Sequence, residues 1–348
     1  MINKLNNKTY IAIDLFSGCG GLSEGMKQAR FKVLVGIEND PYAADCYSVN
    51  HPETVLFNKD IRKLKIREIK KLLNGKTLDL LAGCPPCQGF SSIRRLNRKR
   101  SVRDKRNNLI KEFHRFVKKL RPLTIMLENV PALKSYRLFK KIVKKLRRLD
   151  YSIEYKVVDI KHYGVPQRRK RLIMIGSKLG EIAIAPGIGE EKTVADAIKD
   201  LESIEKTNDP VHKIVARHND RIKELIEKIP KDGGSRTDLP EEDQLECHKK
   251  SNVGFNDVYG RLKWDDYSST ITGGCLNPSK GRFLHPEENR CITAREAALL
   301  QTFPRDYKFP TNIPKTVLAS LIGNALPPEF SRIQSLNILN HIKNHVHD

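Results

Sequence analysis

Two cysteines enclose a pair of prolines in Gly83-Cys84-Pro85-Pro86-Cys87-Gln88-Gly89-Phe90-Ser91, and three chemistries compete for them. As half of a zinc site, Cys84 and Cys87 require a second pair, and Cys247, His248, Cys275 and Cys291 form no C-x-x-C or H-x-x-x-H partner. As a redox couple, the C-x-x-C belongs in a smaller strand-to-helix fold. As a nucleophile, Cys87 is a thiol on a turn stiffened by proline. Free thiols titrate near about 8.5, so a thiolate at neutral pH needs local help, such as the backbone N–H groups of its own turn.

A second constellation surrounds glycines. Asp14-Leu15-Phe16-Ser17-Gly18-Cys19-Gly20-Gly21 runs from a β-type segment through a turn into a helix start, which lets backbone approach a nucleotide-like ligand closely. A dinucleotide fingerprint places glycine at 18, 20 and 23, and position 23 is Ser23. Glu38 stands twenty residues after Gly18, where a carboxylate accepts from both ribose hydroxyls of an adenosine group. Asp60 has two readings, an acceptor for an adenine amino group or a cap for a helix over 62–73. The lone histidines His162, His212, His218 and His285 lack ligand spacing, and no metal is expected.

The elements that position these groups read as an α/β fold. Apolar runs at 10–16, 31–38, 78–83, 123–129 and 171–177 alternate with amphipathic stretches, the pattern of a mostly parallel sheet with crossover helices. The Cys84–Cys87 turn follows one such strand, at the carboxyl edge where open α/β sheets gather catalytic groups. Residues 135–149 read as a surface helix with Leu138, Ile142, Leu146 and Leu149 inward and Lys134, Arg137, Lys141, Lys144 and Arg148 outward. After Ser177 the alternation stops, and helical patterning returns from Ile292 and again from Pro328 to His341. The expected division is 1–177, a smaller irregular domain at 178–304, and a segment at 305–348 returning to the first domain.

Lys and Arg number 64 against 41 Asp and Glu among 348 residues, a formal charge of +23 that favours polyanionic partners. Seven cysteines without a secretory leader argue against a disulfide framework, and no apolar run approaches the roughly 20 residues that span a bilayer. The expectation is a cytoplasmic protein with no membrane partner.

The segment Pro85-Pro86-Cys87-Gln88-Gly89-Phe90-Ser91 resembles the catalytic motif of the cytosine-C5 DNA methyltransferases of bacterial restriction-modification systems. Neighbouring motifs agree in order: the glycine turn at 14–21, Glu128-Asn129-Val130, Gln167-Arg168-Arg169-Lys170-Arg171, Arg295-Glu296 with Leu300-Gln301 and Phe303-Pro304, and Gly323-Asn324-Ala325 with Pro327-Pro328. The resemblance spans 10–330 with a gap in the middle. It implies a Rossmann-like fold dependent on S-adenosyl-L-methionine, with S-adenosylhomocysteine as product and a smaller target-recognition domain.

Carried over residue by residue, the resemblance makes Cys87 the nucleophile at cytosine C6 and Glu128 the carboxyl group at N3 and the exocyclic amine. Arg169 and Arg171 line the same pocket. It assigns the cofactor to Asp14, Phe16, Ser17, Gly18, Gly20, Gly21, Glu38, Asn39, Asp60, Ile61, Pro86, Leu109 and Asn324. Double-stranded DNA is the implied partner, with the target cytosine flipped out of the stack. Gln88, Ser91 and Arg106 are placed near it, Arg94 and Arg95 belong to a basic segment at 93–107 suited to phosphates, and Thr272 and Gly273 lie in a short motif near the target. A monomer beside a cognate restriction endonuclease is expected. Cytosine methylation in tRNA and a non-catalytic DNA-binding protein are the competing readings.

Overall fold

The computed structural model describes residues 8–86, 108–249 and 257–346. Among the described residues seven strands form one sheet: β1 (Tyr10–Leu15), β2 (Phe31–Glu38), β3 (Val55–Asn58), β4 (Leu80–Gly83), β5 (Thr124–Asn129), β6 (Ser152–Asp159) and β7 (Lys170–Ser177), in the order β3-β2-β1-β4-β5-β7-β6. The described α-helices are α1 (Gly21–Gln28), α2 (Pro41–Asn50), α3 (Ile66–Leu73), α4 (Ile110–Leu120), α5 (Arg137–Arg147), α6 (Val194–Ile198), α7 (Asp220–Lys228), α8 (Ala294–Leu300), α9 (Lys315–Asn324) and α10 (Pro328–His345). None is long and apolar enough to cross a membrane.

The chain divides into two compact units, Met1–Asp159 with Lys170–Gly187 and Leu326–Asp348, and Ile160–Arg169 with Ile188–Ala325. Residues 160–169 and 305–325 therefore group with the second unit and 178–187 with the first, whereas the sequence division placed them in the first domain, the returning segment and the smaller domain respectively.

In the first unit β1 to β5 are parallel to one another, and β7 runs antiparallel between β5 and β6. Strands covered on both faces carry continuous apolar runs, and every residue of β5 is buried. Chain order reverses between β1 and β4, so their carboxyl ends flank a topological switch point, where open sheets hold ligands. One apolar cluster joins β1, β2, β4, β5 and β7 to Ile69, Phe113, Phe116, Phe139, Ile142, Val143 and Leu146 of α3, α4 and α5. The buried stripe of α5 is centred on Phe139 and Val143, while Leu138 and Leu149 are only partly covered, a small rotation from the sequence reading. The edge strand β6, Ser-Ile-Glu-Tyr-Lys-Val-Val-Asp, escaped that reading because it is half-exposed throughout and lacks an apolar run.

Helix α10 packs on α1 so closely that a Cβ on Gly25 would lie 2.3 Å from Ser331 Cβ and 2.4 Å from the Pro328 carbonyl oxygen. Ser331 Oγ donates to the Leu22 carbonyl at 2.7 Å across the same contact.

The second unit is loop-rich and organised by a buried cation. The Arg261 side chain is wholly buried and donates to the carbonyls of Ile226 (2.8 Å), Ile229 (3.1 Å), His285 (3.0 Å) and Glu288 (2.6 Å), and to Asn289 Oδ1 (2.7 Å). The apolar cluster beside it is small: Leu225, Ile226, Ile229, Leu239, Tyr259 and Leu284. His212 bridges Thr293 Oγ1 and the Glu202 carbonyl, and His285 Nδ1 accepts from the amides of Glu287 and Glu288, so both serve the fold.

The α1–α10 contact yields a stability prediction. Gly25→Ala introduces a methyl group against backbone as well as side chain, and overpacking of this kind lowers stability by about 1–3 kcal/mol. Denaturant unfolding followed by circular dichroism reads the change; an unaltered midpoint would show that the two helices have slack.

Candidate active site

At the carboxyl end of β1 the chain turns with Phe16 at φ 63°, Gly18 at 55° and Gly20 at 101°. The Ser17 N–H donates to the Ile37 carbonyl at 3.0 Å, and Ser17 Oγ accepts from the Ile37 N–H at 3.0 Å, which ties the turn to β2. Glu38 closes it: Oε2 accepts from the Gly18 N–H at 2.8 Å, and Oε1 from the N–H groups of Asn39 and Asp40 at 2.7 and 2.8 Å. Three backbone donors thus fix the carboxylate beside the glycine turn.

Asp14 is wholly buried, and burial, with the Glu38 charge adding to it, pushes its carboxyl up to about 7. Its Oδ2 accepts from Ser23 Oγ at 2.6 Å, and Ser23 Oγ lies 2.7 Å from the Tyr47 hydroxyl. Oδ1 is buried with no hydrogen-bond partner among the described residues. The position that breaks the dinucleotide fingerprint is therefore a polar one, and Ser23 and Tyr47 are members of the site that sequence reasoning missed. The signal was Ser23 itself, a hydroxyl nine residues after a carboxylate.

Asp60 caps the short turn Ile61–Lys63, accepting from the Arg62 N–H at 2.9 Å and from its guanidinium, which holds the carboxyl below its ordinary range. Of its two sequence readings, the cap is present, although the capped element is a 3-10 turn and α3 starts only at Ile66. Ile61 is buried, and Leu109 precedes α4.

At the carboxyl end of β5, Glu128 is 8% exposed, and Arg171 Nε of β7 lies 2.9 Å from its Oε1. Gly83 pairs with Leu127, which brings the following Cys84 alongside Glu128. Burial above all, then the neighbouring Glu128, pushes the Cys84 thiol well up. Asn129 Nδ2 donates to the Pro85 carbonyl at 2.7 Å, while its Oδ1 accepts from the Val130 N–H at 2.9 Å. The two prolines before Cys87 are thereby pinned to β5, a clamp the sequence reading did not identify. Cys87, Gln88, Ser91, Arg94, Arg95 and Arg106 lie outside the described residues.

The remaining expected site residues fall in the second unit. Arg169 is 3% exposed and directs its guanidinium at carbonyls: Nη1 donates to Ile271 at 2.7 Å, and Nη2 to Gly323 and Ala325 at 3.1 and 3.2 Å. A Cβ on Gly323 would lie 2.0 Å from the Thr272 carbonyl carbon, so only glycine permits α9 to approach the Thr272-Gly273 segment. In this arrangement Arg169 fixes the backbone around Thr272, while Arg171 meets the Glu128 carboxylate. Asn324 is exposed at the end of α9. Among the described residues no group of three or more His, Cys, Asp and Glu is arranged to hold a metal.

The first unit therefore combines, at one sheet edge, a glycine turn with two carboxylates and a buried carboxylate–guanidinium pair beside a proline turn. Comparison with known proteins gives this arrangement a context. The family model for C-5 cytosine-specific DNA methylases matches residues 10–339. The Type II methylase M.HgiDII of Herpetosiphon aurantiacus is 36% identical over 339 residues, covering 94% of each chain. The Type II methyltransferase M1.HphI of Haemophilus parahaemolyticus is 34% identical over 330 residues, covering 92% of this chain and 83% of that one. A solved structure described as a DNA modification methyltransferase encoded within an Escherichia coli prophage superposes with a TM-score of 0.69 at 27% identity, covering 97% of this chain and 100% of that one. The edge geometry and these likenesses agree, and the chain belongs to the C-5 cytosine-specific DNA methylase family, with the α/β methyltransferase fold.

Proposed function

We propose that the protein methylates C5 of a cytosine within a specific duplex DNA sequence, with S-adenosyl-L-methionine as donor and Cys87 bonding transiently to C6. The observation that carries this reading is the buried Glu128–Arg171 pair beside the Pro85-Pro86 turn that leads into Cys87. The naming of relatives as Type II methylases supports DNA as substrate and a cognate endonuclease as companion.

The turn after β1 fits an adenosine-containing cofactor. Gly18 and Gly20 leave it without Cβ atoms, Glu38 offers a fixed carboxylate for ribose hydroxyls, and the unpartnered Asp14 Oδ1 suits a cationic ligand. Phe16, Ser17, Gly21, Asn39, Asp60, Ile61, Pro86 and Leu109 would complete its surroundings. When bound, S-adenosyl-L-methionine supplies a sulfonium methyl group open to an electron-rich carbon.

Cytosine C5 is a poor nucleophile, and Cys87 corrects this by adding its sulfur to C6, which leaves C5 enamine-like. The ring gains negative charge at N3 as the S–C6 bond forms, and Glu128, having taken up a proton from solvent as the base enters, meets that charge with a hydrogen bond from its carboxyl group. Arg171 keeps that carboxyl in place and can contact the base. Once C5 carries the methyl group, its proton leaves to a base, water included, and the S–C6 bond breaks to return the thiolate. A cytosine inside a duplex hides C6, and extruding it costs a few kcal/mol. Contacts from Gln88, Ser91, Arg94, Arg95 and Arg106 to the DNA, and from Thr272 and Gly273 near the target, would offset that cost.

Duplex DNA bearing 5-fluorocytosine at the target should form a stable covalent complex, because fluorine does not leave as the proton does. Cys87→Ala should abolish the complex on denaturing gels, and an adduct in that variant would displace Cys87 as nucleophile. Glu128→Gln should lower the single-turnover rate by about 10²- to 10⁴-fold, the range of general acid–base catalysis. A rate within threefold of the parent would remove Glu128 from the chemistry.

The raised Asp14 carboxyl also sets a pH dependence. It is protonated below about 7 and charged above, so affinity for the cationic cofactor should fall by up to about tenfold per unit as pH drops below that point. Calorimetric titration from pH 5.5 to 8.5 measures this, and Asp14→Asn should flatten the profile. A parent profile that is already flat would take Asp14 out of cofactor recognition.

A further inference from the structure

Two helices carry much of the positive charge of the chain. Residues 110–121 and 134–148 contain thirteen Lys and Arg against the single carboxylate Glu112, and so carry +12 of the formal +23. That carboxylate is paired with Arg115 at 2.6 Å. Helices α4 and α5 share one apolar cluster through Phe113, Phe116, Val117, Phe139, Val143 and Leu146, which turns their remaining residues outward. Lys118, Lys119, Arg137, Lys140, Lys141, Lys144, Lys145 and Arg148 are all exposed. Among the described residues none of these eight has a carboxylate in ion-pair range; other cations of the two segments do interact, Arg121 at 3.8 Å from Asp150 and Arg147 with the Ile153 carbonyl. The field of this surface reaches across the seam between the helices: His114 of α4 is held below its ordinary range by burial first, then by Lys145 of α5 and Lys118.

Accumulating this charge works against the fold. Like charges at i,i+4, as in Arg137–Lys141, Lys140–Lys144, Lys141–Lys145 and Lys144–Arg148, destabilise a helix by a few tenths of a kcal/mol each. An ordinary solvated face mixes signs, as α3 does by placing Glu68 3.2 Å from Lys59. The face of α4 and α5 does not. Its cations repeat along α5 at a rise of about 1.5 Å per residue, so Arg137 to Arg148 spans about 16 Å. One strand of duplex DNA presents a phosphate every 3.4 Å or so, about five over that length.

We propose that the outward face of α4 and α5 is a second duplex-DNA contact surface, which engages phosphates of DNA other than the stretch that carries the target cytosine. The proposal rests on the DNA reading above and adds a second place on the chain for the same class of ligand. It makes the protein able to hold two duplex segments, either two molecules or two parts of one long molecule, by contacts that carry no sequence information.

The test uses the full chain with Lys140, Lys141, Lys144 and Lys145 each replaced by Glu, and a second variant with the same four replaced by Gln. Circular dichroism checks that both fold. A biotinylated 20-base-pair duplex immobilised with the parent protein should capture a second, fluorescent duplex at low salt, and both variants should lose most of that capture. The slope of log affinity against log salt for capture should fall by about 0.9 for each phosphate contact removed. Unchanged capture, or no second duplex held by the parent, would overturn the proposal. So would stronger parent capture of tRNA or of vesicles containing anionic lipid than of duplex. Single-turnover methylation of a short saturating duplex is followed separately, and its loss in step with binding would assign these lysines to the target duplex and refute a second surface. A failure of methyl transfer in the parent bears on the proposed function alone.

Discussion

Glu128, next to last in its strand, lies almost entirely out of water, and a carboxylate so placed costs several kcal/mol unless a cation or hydrogen bonds meet it. Arg171 meets it at 2.9 Å, and the direction of one strand makes that contact available. Because β7 is antiparallel, it begins where β5 ends. Glu128 stands opposite Ile173, and Arg171, two residues earlier, is its diagonal neighbour on the same face. A parallel strand in that place would bring its first residues beside Thr124, at the far edge. The single reversal in the order of the sheet is thus tied to the charge it must neutralise. The same edge receives the end of β4, so Cys84 lies beside Glu128 and the Asn129 amide grips the Pro85 carbonyl.

The other half of the edge is built on the same need. Strands that stop at a switch point leave backbone donors without sheet partners. Glu38 accepts three such N–H groups, and Ser17 exchanges hydrogen bonds with Ile37. Asp14 differs, since only one of its oxygens is engaged by Ser23 and burial pushes its carboxyl up to about 7. A carboxylate left in that state lowers stability as pH rises from its ordinary range toward 7, because the folded protein then binds a proton that the unfolded chain has released. Such a residue is better explained by a ligand than by the fold.

What could be read from sequence follows the kind of force that holds each part. The five apolar runs were legible because strands buried on both faces have little choice of residue, and the glycine turn because positive φ selects glycine. The edge strand β6 was not, since one solvent-facing side dilutes its pattern. The cluster of motifs gave the family, which the comparisons bear out over residues 10–339. Hydrogen bonds between distant residues were illegible. Nothing in Asn129 announces Pro85, and Arg169 looks like Arg171 until its guanidinium is seen to point at the carbonyls of Ile271, Gly323 and Ala325.

The second unit shows why irregular sequence need not mean loose structure. Arg261 joins segments around residues 226, 229, 285 and 288 through their carbonyls, and Arg282 donates to the carbonyls of Gly233 and Arg261. Arg295 adds the Tyr307 carbonyl and Asp209. Buried guanidinium groups are tolerated only when their donors are met, and here main chain supplies most of the acceptors. Any residue type offers a carbonyl. Side chains on the surrounding loops are therefore released from the work of holding the fold, while the few arginines are not, and this division lets a surface change its chemistry without losing its frame.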